Sequence, residues 1–387
     1  MTPNRIYLDY SATTPLDSRV LEEMEPYLQS SFGNPSSQHF IGREAKMALD
    51  TARDRIAESL HAAYGEICFT SGGTEADNQA IIGVMLASHK DRNHLIVSAI
   101  EHHAVLHTAL WLRELGFELT ILPVDGDGCI DPNDLLNALT PRTALVSIMH
   151  ANNEIGAIQD IAQLARITHE NGSLFHTDSV QSFVHLPIHL GGQHAKSGLG
   201  CDLASFSAHK IYGPKGVGAL YIRKGVKLHA LIHGGSQERE RRAGTENVAG
   251  IVGFGKACEL LSDEREAESL RLTELRDRFI QLLFEKIPDI KLHGHRKHRL
   301  PNNVHISVKG VSGTTLLMLL DQNGIAASSG SACSSGSIEP SHVLIALGLS
   351  KEEASSGIRF SLGKETTWRQ LEMVTETLKE HVIRLRT

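Results

Sequence analysis

Cysteine is scarce: five residues in 387, odd in number and widely scattered, at Cys68, Cys129, Cys201, Cys258 and Cys333. None forms a Cys-x-x-Cys pair, which excludes a zinc knuckle and a disulfide framework of the kind that staples small secreted proteins. No apolar run approaches the ~20 residues needed to span a bilayer. The opening MTPNRIYLDY lacks the apolar centre of a secretory signal, so a cytoplasmic protein with no membrane partner is expected. The net charge is −7 and no Lys/Arg block is interleaved with aromatics, so nucleic acid is not an expected partner. Two phosphate signatures are missing as well. There is no Walker ending of Gly-Lys-Ser/Thr, and no Gly-x-Gly-x-x-Gly follows the first predicted strand.

What remains has ordinary globular proportions, 41% hydrophobic and 21% charged, over a length suited to two or three core-forming units. Cys68 in EICFT, Cys129 in DGCID, Cys201 beside Asp202 and Cys258 in GKACELL read as inert packing thiols. Cys333 differs, because it sits in SSGSACSSGS (328–337), a stretch otherwise built of serine, glycine and alanine that has no apolar periodicity.

Short β-rich runs alternate with helical patterns through the first two thirds of the chain. EICFT (66–70), HLIVSAI (94–100), FELTILPV (117–124), TALVSIMH (143–150), SLFHTD (173–178), DLASFS (202–207) and VGALYIR (217–223) read as strands. Residues 74–90, 104–116 and 161–172 have helical apolar spacing, the last two stopped by glycine. This alternation predicts an α/β fold, a mostly parallel seven-stranded sheet sandwiched by helices. Near Gly255 the character changes. A long charged helix (257–287) leads to a strand (302–308), a helix (313–324), the Ser/Gly loop and a terminal helix from Thr367. The expected division is a large domain of residues 15–256 and a smaller α+β domain of residues 1–14 and 257–387 that carries the cysteine loop (about 326–338).

Ligands of open α/β sheets bind beyond the carboxyl ends of the strands, so the residues there are the candidates. EICFT runs into SGGTEADN, where Gly73 and Thr74 offer N–H groups at a helix start; this is either a capped helix or an anion cradle. Lys210 follows a strand end between Ser207, His209 and a YGPKG turn. It is either a solvated charge or a partly desolvated amine able to form a Schiff base. Asp178 in HTDSVQ is either an N-cap or the anion that keeps a cofactor pyridinium protonated, with Gln181 three residues on. ANNEIG ends a strand with two amides, and IEHHAVLH ends another with His102, which could lie flat on an aromatic ring. His103 and His107 are read as helix-surface residues, HGHRKHR (293–299) as a solvated loop, and the ERERR run (238–242) as a charged rim near the site.

Together these stretches resemble the cysteine desulfurases, pyridoxal-phosphate enzymes of the aminotransferase-like fold (fold type I). The resemblance rests on ten motifs in one order: YLDYSATTP, FGNPSS, FTSGGTEADN, EHHAVLH, NNEIG, DSVQ, SFSAHKIYGPKG, RRAGTEN, SSGSAC and IRFSLG. SSGSAC on a long loop is similar to the branch serving nitrogenase and iron–sulfur cluster assembly; the RxGHHC-like motif of the sister branch is not matched. The resemblance implies pyridoxal 5′-phosphate held as a Schiff base by Lys210. It pairs Asp178 with the ring nitrogen, sets Gln181 and Asn153 at the phenolate oxygen and stacks His102 on the ring. It places Gly73, Thr74, Ser207 and His209 at the phosphate, with Thr245 arriving from the other subunit of a homodimer. Arg359, helped by Asn34 and Asn153, would hold the carboxylate of L-cysteine. Lys210 would move the Cα proton and the Cys333 thiolate would take the sulfur, leaving alanine and a persulfide for a protein acceptor such as an iron–sulfur scaffold.

No stable metal site is implied, although the resemblance to some relatives allows Cys333 to ligate a cluster transiently. Ser179 stands where the family usually has alanine, and GGQHAKSGLG (191–200) is an insertion. Two alternatives stay open. One is another pyridoxal-phosphate enzyme of this fold, such as a selenocysteine lyase or cysteine β-lyase. The other is a non-catalytic scaffold partner, against which the complete set of Lys210, Asp178, His102 and Arg359 argues.

Overall fold

A computed structural model describes residues 5–88, 90–190, 198–329 and 340–387. Cys333 and most of the 191–200 insertion lie outside the described residues. All seven expected strands form one sheet. Its spatial order is Ile67–Thr70, Gly218–Ile222, Leu203–Ser207, Leu174–Asp178, Thr143–Ser147, His94–Ser98 and Glu118–Leu122. Only Gly218–Ile222 runs antiparallel to its neighbours; the other pairings are parallel. Strands inside such a sheet are covered on both faces, which is why HLIVS, TALVS, LASFS and GALYI are buried at every residue. Glu118–Leu122, at the edge, buries only Leu122.

Crossover helices follow their local signals. Asp160 caps Ile161–Glu170, which buries Ile161, Leu164, Ala165 and Thr168 on one face, and Gly172 ends it with φ 72°. Among the described residues five helices are additions to the expectation, the two long ones Ser18–Gln29 and Phe40–Ser59 and the short ones Pro132–Ala138, His342–Ala346 and Lys351–Ser355. Ser18–Gln29 contains Pro26 and buries only Val20 and Met24, while Phe40–Ser59 buries chiefly small residues amid charges.

The long helix is Val248–Lys286, starting nine residues before the predicted position. Its first turns are glycine-rich, which reads locally as a break. Packing reverses that reading: a Cβ on Gly255 would lie 2.8 Å from the Ala52 Cα, and one on Gly253 2.5 Å from the Met24 sulfur. The helix joins two apolar cores. Ile251 to Leu261 belong to the core around the large sheet, and Leu272 to Leu283 to a second core beneath a three-stranded antiparallel sheet. That sheet is ordered Gly357–Ser361, Asn303–Val308, Ile290–Leu292. The short strand Ile6–Tyr7 pairs in parallel with Ile325–Ala326, so Ile6 and Leu8 pack in the second core and Ser11 and Ala12 then reach the mouth of the large sheet. Among the described residues no helix is long and apolar enough to cross a membrane.

Candidate active site

The carboxyl ends of the central strands open into a cavity of about 320 Å³, closed on the far side by Arg359 of the small sheet. Ten expected residues line it: Gly73, Thr74, His102, Asn153, Asp178, Gln181, Ser207, His209, Lys210 and Arg359. Two others are elsewhere in this chain. Thr245 is exposed, and Asn34, also exposed, uses its side-chain oxygen to accept from the Ser36 N–H at 2.9 Å.

Lys210 closes a single 3-10 turn, Ala208–Lys210, directly after the strand Leu203–Ser207. The following YGPKG turn fixes it: Tyr212 has φ 64°, and a Cβ on Gly213 would lie 2.8 Å from the Ala208 carbonyl. Its ammonium donates to the carbonyls of Ser11 and Ala12 at 2.5 and 2.7 Å, which aims the amine across the cavity. Gln181 donates to the same Ser11 carbonyl at 2.8 Å.

Asp178 ends the adjacent strand. Burial pushes its carboxyl up to about 6, opposed by the Val180 N–H, which donates to it at 2.8 Å, and by the charge on Lys210. A cationic ring nitrogen opposite this group would restore its ionisation. His102 caps the helix His103–Glu114; its Nδ1 accepts from the Ala104 N–H at 3.1 Å. Burial and then the Lys210 charge pull it down to about 4, so the ring is neutral, with its proton on Nε2. His209 is likewise pulled to about 4, by burial and then by Lys210 and Lys215, and its Nδ1 lies 3.1 Å from the Thr13 hydroxyl. Of the two amides in ANNEIG, Asn152 is structural: its Oδ1 accepts from the N–H groups of Glu154 and Ile155. Asn153 faces the cavity.

Several participants had no sequence signal. Ser147, His176 and Ser205 form a polar island on the central strands. His176 contacts Ser147 at 2.8 Å and Ser205 at 2.9 Å, and burial holds it near 3. Asp77 also lines the cavity and is raised well above the carboxylate range by burial and by Asp178. One helical turn beyond Gly73, its spacing was the only available hint. Polar residues inside a parallel sheet break the apolar rule from which strands are read, so the island was invisible.

Two surface expectations need correcting. In HGHRKHR, His293 and Arg299 are buried: His293 Nε2 meets the Ser307 hydroxyl at 2.8 Å, and Arg299 donates to the carbonyls of Asn303 and Ile155. Glu238 of ERERR is also buried and accepts from both Arg53 terminal nitrogens (2.8 and 2.6 Å) and from the Phe69 N–H. That anchoring holds Glu238, Arg239 and Glu240 at φ 48°, 58° and 63°, a left-handed run that costs ~1–2 kcal/mol per residue. Cys129 is only half-buried. The remaining packing thiols, Cys68, Cys201 and Cys258, are buried and free, and burial raises each. His103 and His107 stack at 4.6 Å, outside the cavity. Among the described residues no group of three His, Cys, Asp or Glu is placed to hold a metal ion.

The lining fits a phosphorylated, aldehyde-bearing pyridine. Gly73 begins a helix where N–H groups favour an anion, and a Cβ there would lie 2.7 Å from a Val180 methyl, so the cradle needs a residue without one. An amine and a buried carboxylate share the same 320 Å³. The chain belongs to the class-V aminotransferase family, whose model matches residues 6–374. It is 53% identical over 382 residues to the cysteine desulfurase IscS of Dictyoglomus turgidum, covering 99% of this chain and 95% of the relative. A solved NifS-like protein superposes with a TM-score of 0.91 at 37% identity, covering 98% of this chain and all of the other. SspA, solved in complex with cysteine, superposes at 0.82 with 36% identity, covering 92% and 98%. Within the family the chain is one of the cysteine desulfurases, and that membership implies pyridoxal phosphate, a cysteine substrate and a sulfur acceptor.

Proposed function

We propose that the cavity converts L-cysteine to L-alanine, with pyridoxal phosphate attached through Lys210 and the sulfur passed to Cys333. The observation that carries this reading is the convergence of Lys210, Asp178, His102 and Arg359 in one cavity. When bound, the cofactor supplies an electron sink for the pair released at the substrate Cα. Asp178 holds the negative charge that keeps the sink cationic. His102, neutral, offers a flat face and an Nε2 proton. Lys210 takes the Cα proton and returns one, and Arg359 fixes the carboxylate.

The thiolate of Cys333 attacks the substrate sulfur and the Cβ–S bond breaks. The electron pair leaves with carbon, which gains a proton to give the methyl group of alanine. Sulfur is thereby oxidised and carbon reduced, with no external redox partner. Cys333 stands five residues beyond Ser328, whose N–H donates to the Arg359 carbonyl at 3.1 Å. Five residues extend at most ~18 Å, which sets the longest tether between Ser328 and Cys333.

The same proposal includes a two-domain division drawn at residue 257; the long helix itself leaves the first core after Leu261 and enters the second at Leu272. It includes a homodimer, supported by exposed Leu28, Phe32, Phe40 and Met47 and by a Thr245 that its own cavity does not use. Thr245, and Asn34 if it acts on substrate, would then serve across the interface. A reducing cytoplasm suits the free thiols, and delivery to an iron–sulfur scaffold suits the relatives' names.

Cys333→Ser tests the sulfur step. Alanine formation from L-cysteine is expected to fall at least about 100-fold, with the absorbance change on adding L-alanine unaltered. Alanine release at the parent rate would instead favour a lyase that leaves Cys333 idle.

A further inference from the structure

Arg359 is not free to turn toward any ligand. Its guanidinium, 3% exposed, donates from Nη2 to Asp9 Oδ1 at 2.7 Å and from Nη1 to the Asn153 carbonyl at 2.9 Å. Its Nε–H is buried and has no hydrogen-bond partner among the described residues. Of the five guanidinium N–H groups, the Nε–H and the second Nη2–H share one edge, and a carboxylate meeting that edge would be held by two parallel bonds.

Asp9 is built into this position rather than brushing past. Its backbone forms a parallel bridge with Ser361, two residues from Arg359. The Ser361 N–H donates to the Leu8 carbonyl at 2.8 Å, and the Ser11 N–H to the Ser361 hydroxyl at 2.8 Å. The Asp9 carbonyl accepts from the Tyr7 hydroxyl at 2.9 Å. Two residues further on, the Ser11 and Ala12 carbonyls hold Lys210. A four-residue stretch therefore touches both ends of the cavity, with Asp9 at the carboxylate end and Ser11–Ala12 at the amine end.

We infer that Asp9 is a positioning residue for substrate recognition, locking Arg359 so that its Nε edge receives the α-carboxylate of the amino acid. The inference rests on the proposed role of Arg359 as the carboxylate clamp and goes beyond it by naming the residue that aims the clamp and the edge that binds. Asp9 does not touch substrate. Its removal frees a long side chain that must then be ordered at each binding event.

The test compares ligands with and without a carboxylate on the holoenzyme: KM and kcat for L-cysteine, and half-saturation of the cofactor absorbance change by L-alanine and by ethylamine. Asp9→Ala is expected to raise the L-cysteine KM and the L-alanine half-saturation about tenfold, the scale of one lost charge-assisted hydrogen bond. The kcat and the ethylamine half-saturation should stay within about twofold. Asp9→Asn, which keeps an oxygen for Nη2, should return KM to within about threefold of the parent. Asp9→Ser replaces the alanine variant if that one does not fold. Equal shifts for L-alanine and ethylamine, no shift at all, or a fall in kcat with KM unchanged would overturn the inference. Arg359→Ala is read separately: if it leaves the preference for L-alanine over ethylamine intact, the clamp assignment itself is wrong.

Discussion

Alanine in place of Lys210 is expected to lower alanine formation from L-cysteine by at least about 10³-fold, the loss that follows when both a covalent anchor and a proton-transfer group are removed. The effect should be chemical rather than structural. Lys210 ends a one-turn segment whose course is set by the buried strand before it and the YGPKG turn after it. Its ammonium donates to the main-chain carbonyls of Ser11 and Ala12 and caps no secondary-structure element. Thermal unfolding of Lys210→Ala should therefore remain cooperative, with pyridoxal phosphate bound but removable by gel filtration. Alanine formation within tenfold of the parent would place the proton transfer on another group.

The second large effect is on stability at acid pH. Burial holds His102, His150 and His209 near 4, and His176 and His185 near 3. In the unfolded chain each takes a proton at about 6.5. Between those values the unfolded state binds more protons, so this contribution to stability is complete above about pH 6.5 and is lost as the pH falls toward 4. Four buried carboxyls act in the opposite sense, Glu154 being raised by burial as well. Asp178 is raised to about 6, Glu101 to about 8 by burial, and Asp77 well above its ordinary range. Their penalty on the folded state is relieved by acid. The histidines are more numerous, so the melting midpoint of the holoenzyme should fall by about 10 °C or more between pH 7 and pH 5. A flat or rising midpoint over that interval would mean that the buried imidazoles are already charged.

Much of this architecture was readable because parallel strands buried on both faces announce themselves as short apolar runs. The chemistry then sits at their ends, where Asp178, Ser207 and Lys210 were found. The start of the long helix was misplaced because a local rule treats glycine as a breaker. In the fold, Gly253 and Gly255 allow helices to approach closely, a contact with residues some 200 positions earlier. The same distance in sequence hid Asp9: its partner Arg359 lies 350 residues away, and nothing near YLDYSATTP points to it. His176, Ser147 and Ser205 escaped for the opposite reason, being polar residues within strands whose sequence otherwise signals only burial. The ERERR run reads as a rim because charge runs usually face solvent, whereas a bidentate partner in Arg53 draws Glu238 inward.

Borohydride reduction of the holoenzyme, followed by proteolysis and peptide mapping, interrogates the core of this account most directly. A single pyridoxyl group on the Lys210 side chain, in the peptide spanning SFSAHKIYGPKG, is the predicted result. A pyridoxyl group on any other lysine, or none at all in protein that still releases alanine from L-cysteine, would contradict it.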